Sequence, residues 1–263
     1  MNEWRWRSAT SFCLLEKREI MKKKYTIAVL ILILVFSCGK KDKKSQNSQS
    51  KSNIENRQDD KLKELIKKAE KGDISAQTEL GEMYLHGNGV KADYKKSMEW
   101  SKKAAEKGSY RAMTNIGILY LDGLGVEKDY KKAFDSFSKA TDGGDMKGPR
   151  YLGIMSEKGL GVKKSLDDAA FYYEIGDSSG DLTSRYNLGK IHEKAGDYAR
   201  AVELYKKTDN RMDHVTAPMY EALGDLYAAG KGVEKSTKEA REWYEKAVKS
   251  GSQEASKKLN NLK

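Results

Sequence analysis

Proline is almost missing: the 263 residues contain 2. Cysteine is equally scarce, with Cys13 and Cys38 the whole supply, and histidine numbers 3. Two cysteines exclude a disulfide scaffold, and so little proline excludes collagen and proline-rich linkers. Long apolar runs are scarce too, which excludes a multi-span membrane protein. What is abundant is charge, at 34% of residues, with hydrophobic residues at 38% and 23 glycines. That balance favours exposed helices over a compact mixed sheet. The formal net charge is +11, but residues 1–37 hold 7 Lys/Arg against 3 Asp/Glu, so part of the excess sits in one short segment. The rest is spread out, and no basic stretch is interleaved with aromatics, so nucleic acid is not an expected partner.

The amino-terminal segment reads as an address. Met21-Lys22-Lys23-Lys24 precedes an apolar run from Tyr25 to Phe36, then Ser37-Cys38-Gly39. A basic start, an apolar stretch of about a dozen residues and a small residue before the cut make a secretory signal peptide. The run falls short of the ~20 residues a transmembrane helix needs. Val35-Phe36-Ser37-Cys38 resembles a bacterial lipobox, with Phe36 bulkier than usual. The resemblance implies that Cys38 is acylated on sulfur and becomes the new amino terminus. Gly39 stands where an inner-membrane retention signal would resemble Asp, which favours the outer membrane of the cell envelope. The expected organisation is therefore residues 1–20 as a mis-called extension ahead of the start at Met21, 21–37 as signal peptide, and 38–60 as lipidated cysteine and tether. Residues 39–60 carry Ile54 as their only large aliphatic, too little to fold around. Extended, such a stretch reaches roughly 75 Å; as a coil it averages roughly 25 Å.

The remaining 61–263 repeat themselves. Leu80-Gly81-Glu82-Met83-Tyr84 through Gly87-Asn88-Gly89-Val90 recurs as Ile116-Gly117 through Gly125-Val126, as Leu152-Gly153 through Gly161-Val162 and as Leu223-Gly224 through Gly232-Val233. A fourth copy keeps Leu188-Gly189 but runs Lys194-Ala195-Gly196-Asp197 without the second loop glycine. The shared glycines are Gly81, Gly117, Gly153, Gly189 and Gly224, at steps of 36, 36, 36 and 35. Each copy divides into two helical patterns, A and B, around the loop. Helix A is apolar or small at i, i+1 and i+4; helix B repeats the spacing of Ala133, Phe134, Phe137 and Ala140. A glycine inside helix A costs ~1 kcal/mol relative to Ala, tolerable where helix B lies close against it. One such pair cannot bury its own face, so neighbours must stack. Lys61–Lys71 reads as a lone helix B closing one end, and Ser252–Leu262 as a final amphipathic helix, giving about twelve helices.

Period, Leu-Gly-x-x-Tyr, Gly-x-Gly-Val and the helix B tail Lys102-Lys103-Ala104 together closely resemble the Sel-1-like repeat, a relative of the tetratricopeptide repeat. Ser156 and His192 depart from the pattern at its Tyr position. The resemblance implies an all-α, right-handed solenoid of about five helix-turn-helix repeats with capping helices. It also implies a monomer that binds a protein or peptide in a concave groove lined by helix A. The groove phase falls at Thr78, Glu82 and Leu85; Thr114, Ile118 and Leu121; Arg150 and Ile154; Tyr186 and Lys190; Glu221 and Asp225. Leu85, Ile118, Leu121, Ile154 and Tyr186 then form an apolar stripe, which contiguous exposure would mark as an interaction site. The alternative is that superhelical curvature buries the stripe against the next repeat.

Chemistry is harder to find. His86, His192 and His214 have no companion at metal-ligand spacing, so no metal or cofactor is expected. The glycine loops follow helices rather than strands, and Lys235-Ser236-Thr237 follows Glu234 rather than Gly, so no phosphate loop is formed. Asp167 and Asp168 read as a solvated helix start, where carboxylates suit the dipole. With no catalytic constellation, the expectation is a non-enzymatic, lipid-anchored scaffold. The rival classes are an envelope hydrolase acting on β-lactams or peptidoglycan, as described for some relatives, and a surface-exposed host-interaction factor.

Overall fold

The computed structural model describes residues 60–208 and 210–262. Residues 1–59, with the signal peptide, Cys38 and tether, lie outside the described residues. Contacts divide the chain into two units, Met1–Glu64 and Leu65–Lys263, and all the repeats lie in the second. Among the described residues there are helices and no strands. Residues 60–70 form α1. Five A helices follow, α2 (Ile74–His86), α4 (Tyr110–Asp122), α6 (Gly148–Lys158), α8 (Leu182–Ala195) and α10 (Ala217–Ala229). They alternate with five B helices, α3 (Tyr94–Glu106), α5 (Tyr130–Asp142), α7 (Leu166–Ser178), α9 (Tyr198–Lys206) and α11 (Thr237–Lys249), and α12 (Gln253–Asn261) closes the array. This is a right-handed α-solenoid of five repeats. Each A helix packs on its own B helix and each B helix on the next A helix. Successive A helices also meet, α2 with α4 and α6 with α8, whereas no two B helices approach as closely, so the A helices line the inner, concave side.

The helix ends follow from short polar side chains. Asp73, Asp93, Ser109, Asp129, Ser165, Asp181, Asp197, Ser236 and Ser252 each accept the backbone N–H three residues on, satisfying an otherwise orphaned donor. Helices α6 and α10 have no such cap at their own boundary. These two carry the chain's only prolines, Pro149 and Pro218, in the first turn, where a missing N–H is harmless. Asp145 caps α6 from upstream, accepting from the backbone of Lys147 and Gly148, and Asp213 does the same for α10 from Val215 and Thr216.

The repeating glycine is a contact, and its partner recurs. A Cβ at Gly117 would stand 2.5 Å from the Phe137 ring, at Gly153 2.5 Å from Tyr173, at Gly189 2.2 Å from Tyr205 and at Gly224 2.3 Å from Tyr244. Four of the five B helices thus lay an aromatic ring on the bare backbone of their A helix. In the first repeat the ring is replaced by Ser101, 2.4 Å from the same point on Gly81. The fourth repeat reverses direction through Gly196 (φ +82°) alone. Its loop is shorter by about one helical turn, so Tyr205 still lands on Gly189. The core follows the same axis. Phe137, Tyr173, Tyr205 and Tyr220 are fully buried, and the helix B alanines Ala133, Ala140, Ala240 and Ala247 are at 0% exposure. At one end Ala69 is buried and its carbonyl accepts from the Gln77 side-chain amide at 2.8 Å.

The inner face as candidate functional site

Of the groove-phase residues, the structure spends most on holding repeats together. Thr78 bonds Ser109 at 2.8 Å, Thr114 donates to Asp145 at 2.7 Å, Arg150 donates to Asp181 at 3.1 Å and Glu221 accepts from Ser252 at 2.7 Å. Each pairing spans 31 residues and joins an A helix to the residue that caps the next helix in the same row. Thr78 and Thr114 are buried as a result. Tyr186, at the same phase, instead tilts its ring against Tyr205 at 5.9 Å.

The apolar stripe is mostly interior, a correction to the exposed stripe read from the sequence. Leu85 is 5% exposed and packs with Met98 and Leu119; Leu121 is 8% exposed and packs with Phe137, Leu152 and Met155. Ile118 and Ile154 are half-buried against the same layers. The cause is the superhelical turn, which swings the next A helix over the leucine position.

Charge therefore dominates what remains on the inner side. Glu82 is paired with Arg111 through two hydrogen bonds. Lys194 donates to Glu157 at 2.7 Å, Lys190 to Glu193 at 3.2 Å, and Lys258 of α12 to both Glu221 at 2.8 Å and Asp225 at 2.7 Å. Three of these carboxylates also receive a helix B phenol: Tyr173 on Glu157, Tyr205 on Glu193 and Tyr244 on Asp225. Burial, then the neighbouring carboxylate, pushes all three phenols far above their usual range, so they remain donors. For Glu157 and Glu221, burial pushes the pKa up, but Lys194 and Tyr173 on one and Lys258 and Ser252 on the other more than reverse it.

The inner side opens at its amino-terminal end into a cleft of about 900 Å³ lined by Ile74, Ser75, Thr78, Glu79, Glu82, Met83, Asn88, Ser109 and Arg111. Thr78 and Glu82 belong to the groove phase; Ile74, Glu79, Met83 and Arg111 were not singled out in the sequence. Only Ile74 had a signal, a second ladder of Ile74, Tyr110 and Met146 at or just before the start of helix A in the first three repeats, 41%, 45% and 51% exposed. Glu82 is committed to Arg111, whose pKa it raises first through that hydrogen bond; Glu79 adds its charge from farther off and forms no salt bridge among the described residues.

The histidines do not assemble anything. His192 Nδ1 lies 3.2 Å from Asp197, and His86 and His214 are exposed. Among the described residues no group of three metal-ligating side chains converges, and no helix is long and apolar enough to cross a membrane. The loop before Lys235-Ser236 follows a helix, α10, and the Ser236 hydroxyl is occupied in capping α11.

Comparison with known proteins agrees with this architecture. The family model described as Sel1 repeat matches residues 74–109, 111–145, 150–176, 183–208 and 217–252. A protective antigen of uropathogenic Escherichia coli strains, with an SLR fold, is 30% identical over 76% of this chain with a TM-score of 0.68. This chain spans 43% of that antigen's length. A Sel1 repeat protein from Oxalobacter formigenes is 30% identical, with a TM-score of 0.65, over 72% of this chain and 78% of its own. A Sel1 repeat protein from Klebsiella pneumoniae, 20% identical with a TM-score of 0.51 over 76% of this chain and 98% of its own, shares the fold. No curated protein matches the chain at a significant level.

Proposed function

Because the chain belongs to the Sel1 repeat family, whose members are protein-interaction scaffolds, we propose that it is a non-enzymatic adaptor that holds a partner's peptide segment in the cleft of its inner face. The observation that carries this is the make-up of the cleft. Ile74 and Met83 offer apolar contact, and Glu79 offers a carboxylate that forms no salt bridge among the described residues, beside the closed Glu82–Arg111 pair. An extended segment with one apolar and one basic side chain fits that chemistry. Farther along, the paired carboxylates at Glu157, Glu193, Glu221 and Asp225 support a polar, rigid wall rather than a second apolar pocket.

We further propose that residues 21–37 are a lipoprotein signal peptide, that Cys38 is acylated, and that residues 39–60 tether the solenoid, at 61–263, to the outer membrane. The support is the Lys22–Lys24, apolar, Ser37-Cys38 order in the sequence. Cys38→Ser should abolish metabolic palmitate labelling and leave full-length precursor; persistent labelling excludes the assignment.

The scaffold reading is tested by placing a photo-crosslinking amino acid at Met83 in the lipid-anchored protein in its own cells. A discrete adduct at Met83, absent when the crosslinker stands at Lys131 on the outer side, supports the cleft. Adducts at Lys131 alone, or turnover of a chromogenic β-lactam or of peptidoglycan by the purified chain, would overturn it.

A further inference from the structure

The five B helices place one position in register at Glu99, Asp135, Phe171, Glu203 and Glu242. Four are carboxylates and one is a phenyl ring. Phe171 is 58% exposed, more than any other large hydrophobic among the described residues. Its ring contact is edge-on to Tyr172 at 5.5 Å, and Tyr172 in turn meets Phe134 of α5 edge-on at 6.4 Å. Leu166, five residues back on α7 and so on a different face, is 41% exposed and stands where other B helices have Tyr94, Tyr130, Tyr198 and Thr237. The third repeat thus carries an apolar strip of Phe171, Tyr172 and Phe134 on its outer side, at a position where the other B helices carry a carboxylate.

Charge is altered at the same place. Asp167 and Asp168 occupy the positions of Lys95-Lys96, Lys131-Lys132, Ala199-Arg200 and Lys238-Glu239. The helix dipole favours acids at a helix start, yet it acts on all five B helices and only this one has two. Among the described residues, Asp167, Asp168 and Glu174 have no salt-bridge partner. Asp168 and Asp142 both bear on the Tyr172 phenol, raising its pKa after burial does, which places carboxylates along the edge of the strip.

We propose that this outer face of the third repeat is a second docking surface, taking a basic segment of a partner protein whose apolar side chain covers Phe171 while its lysines or arginines meet Asp167, Asp168 and Glu174, which lie three or four residues from Phe171 on the same helix face. The carboxylates repel nucleic acid and anionic lipid. A second copy of this chain would bring its own lysine-rich outer face, and two convex faces touch over little area. A flexible or helical segment can lie along α7 instead. This surface is separate from the inner cleft, so the two readings stand or fall independently.

The probe is a fluorescein-labelled amphipathic helix of about 18 residues made of Leu and Lys, with a Leu/Glu peptide of the same pattern as control. Binding to the full chain is followed by anisotropy and mapped by hydrogen exchange. The expected result is saturable binding of the Leu/Lys peptide, protection over residues 166–174, and no binding of the control. Phe171→Glu, which restores the residue type of the other repeats, should weaken binding about tenfold or more, the loss typical of a central aromatic anchor. Asp167→Lys with Asp168→Lys should weaken it and flatten its salt dependence. Both changes are at exposed positions and should leave the melting temperature in place, and Met83→Lys in the inner cleft should leave peptide affinity unchanged. Equal affinity of wild type and Phe171→Glu, protection on the inner face, or equal binding of the Leu/Glu control would each overturn the proposal. So would a self-associated chain that Phe171→Glu turns monomeric, which would make the occupant a second copy.

Discussion

Gly117→Ala adds one methyl group, and its cost follows from what stands opposite. The new Cβ would lie 2.5, 2.7 and 2.8 Å from three atoms of the Phe137 ring. That ring is fully buried and is stacked on Tyr151 at 4.6 Å with the planes 7° apart, so it has little room to retreat. Two effects of opposite sign compete. Replacing glycine inside a helix gains ~1 kcal/mol of propensity. Overpacking a closed core costs ~1–3 kcal/mol, with the upper part of that range applying where the ring is clamped. The expected net loss is about 1–2 kcal/mol, or about 2–4 °C in melting temperature per kcal/mol for a domain of this size. Gly81→Ala, the same substitution one repeat earlier, meets only the Ser101 hydroxyl at 2.4 Å, then Ser101 N at 3.4 Å and Asn115 Nδ2 at 3.5 Å. That hydroxyl has no hydrogen-bond partner and can rotate away. Here the propensity gain wins, and the change should be neutral or stabilising by up to about 1 kcal/mol. Urea unfolding with circular dichroism and fluorescence as coincident probes reads both, and coincidence checks that the array unfolds as a unit. A Phe137→Leu background should shrink the Gly117→Ala penalty, a coupling of the size neighbours show, about 0.5–3 kcal/mol. If Gly117→Ala is as well tolerated as Gly81→Ala, the ring-on-glycine contact does not fix the spacing of the two helices.

Leu121→Ala should destabilise the chain by about 2–5 kcal/mol, as buried leucines do, whereas Ile118→Ser at its half-buried site should cost less; equal thermal shifts would mean that the two sites do not differ in burial. Acidification should weaken the array as pH falls below about 4.5, the ordinary value for Glu157 and Glu221. Their pKa values are lowered on folding, so their contribution is present above the unfolded value and is lost as pH drops through the folded one. Glu157→Gln should flatten that part of the melting-temperature profile; an unchanged acid limb removes Glu157 from its cause. Arg150→Met should destabilise more than Lys132→Met, because Arg150 and Asp181 are 18% and 12% exposed while Lys132 is 61% exposed, and chemical denaturation of the two variants makes the comparison.

The period, the two-helix unit, the closing helices and the close approach at each shared glycine were legible in the sequence, because all depend on spacing within one repeat. The contents of the inner face were not. Leu85 and Leu121 have the phase of exposed residues on an isolated helix, and only the rotation between successive repeats brings Leu119 or Met155 over them. The pairings of Thr78, Thr114, Arg150 and Glu221 across 31 residues depend on that same rotation. Phe171 could have been found by setting the five B helices in register, since the anomaly is one residue type against four.

The 31-residue pairings differ in chemistry from repeat to repeat: hydroxyl with hydroxyl, hydroxyl with carboxylate, guanidinium with carboxylate, carboxylate with hydroxyl. Near-identical modules in one chain can stack out of order during folding. Here an exchange has a cost. Glu221 set against Asp145 or Asp181 would face a second carboxylate, and Arg150 set against Ser109 or Ser252 would lose its counter-ion. The fourth module offers Tyr186, which fits none of the polar sockets and belongs beside Tyr205. The sequence of the modules is in this sense proof-read at four junctions, one side chain at a time.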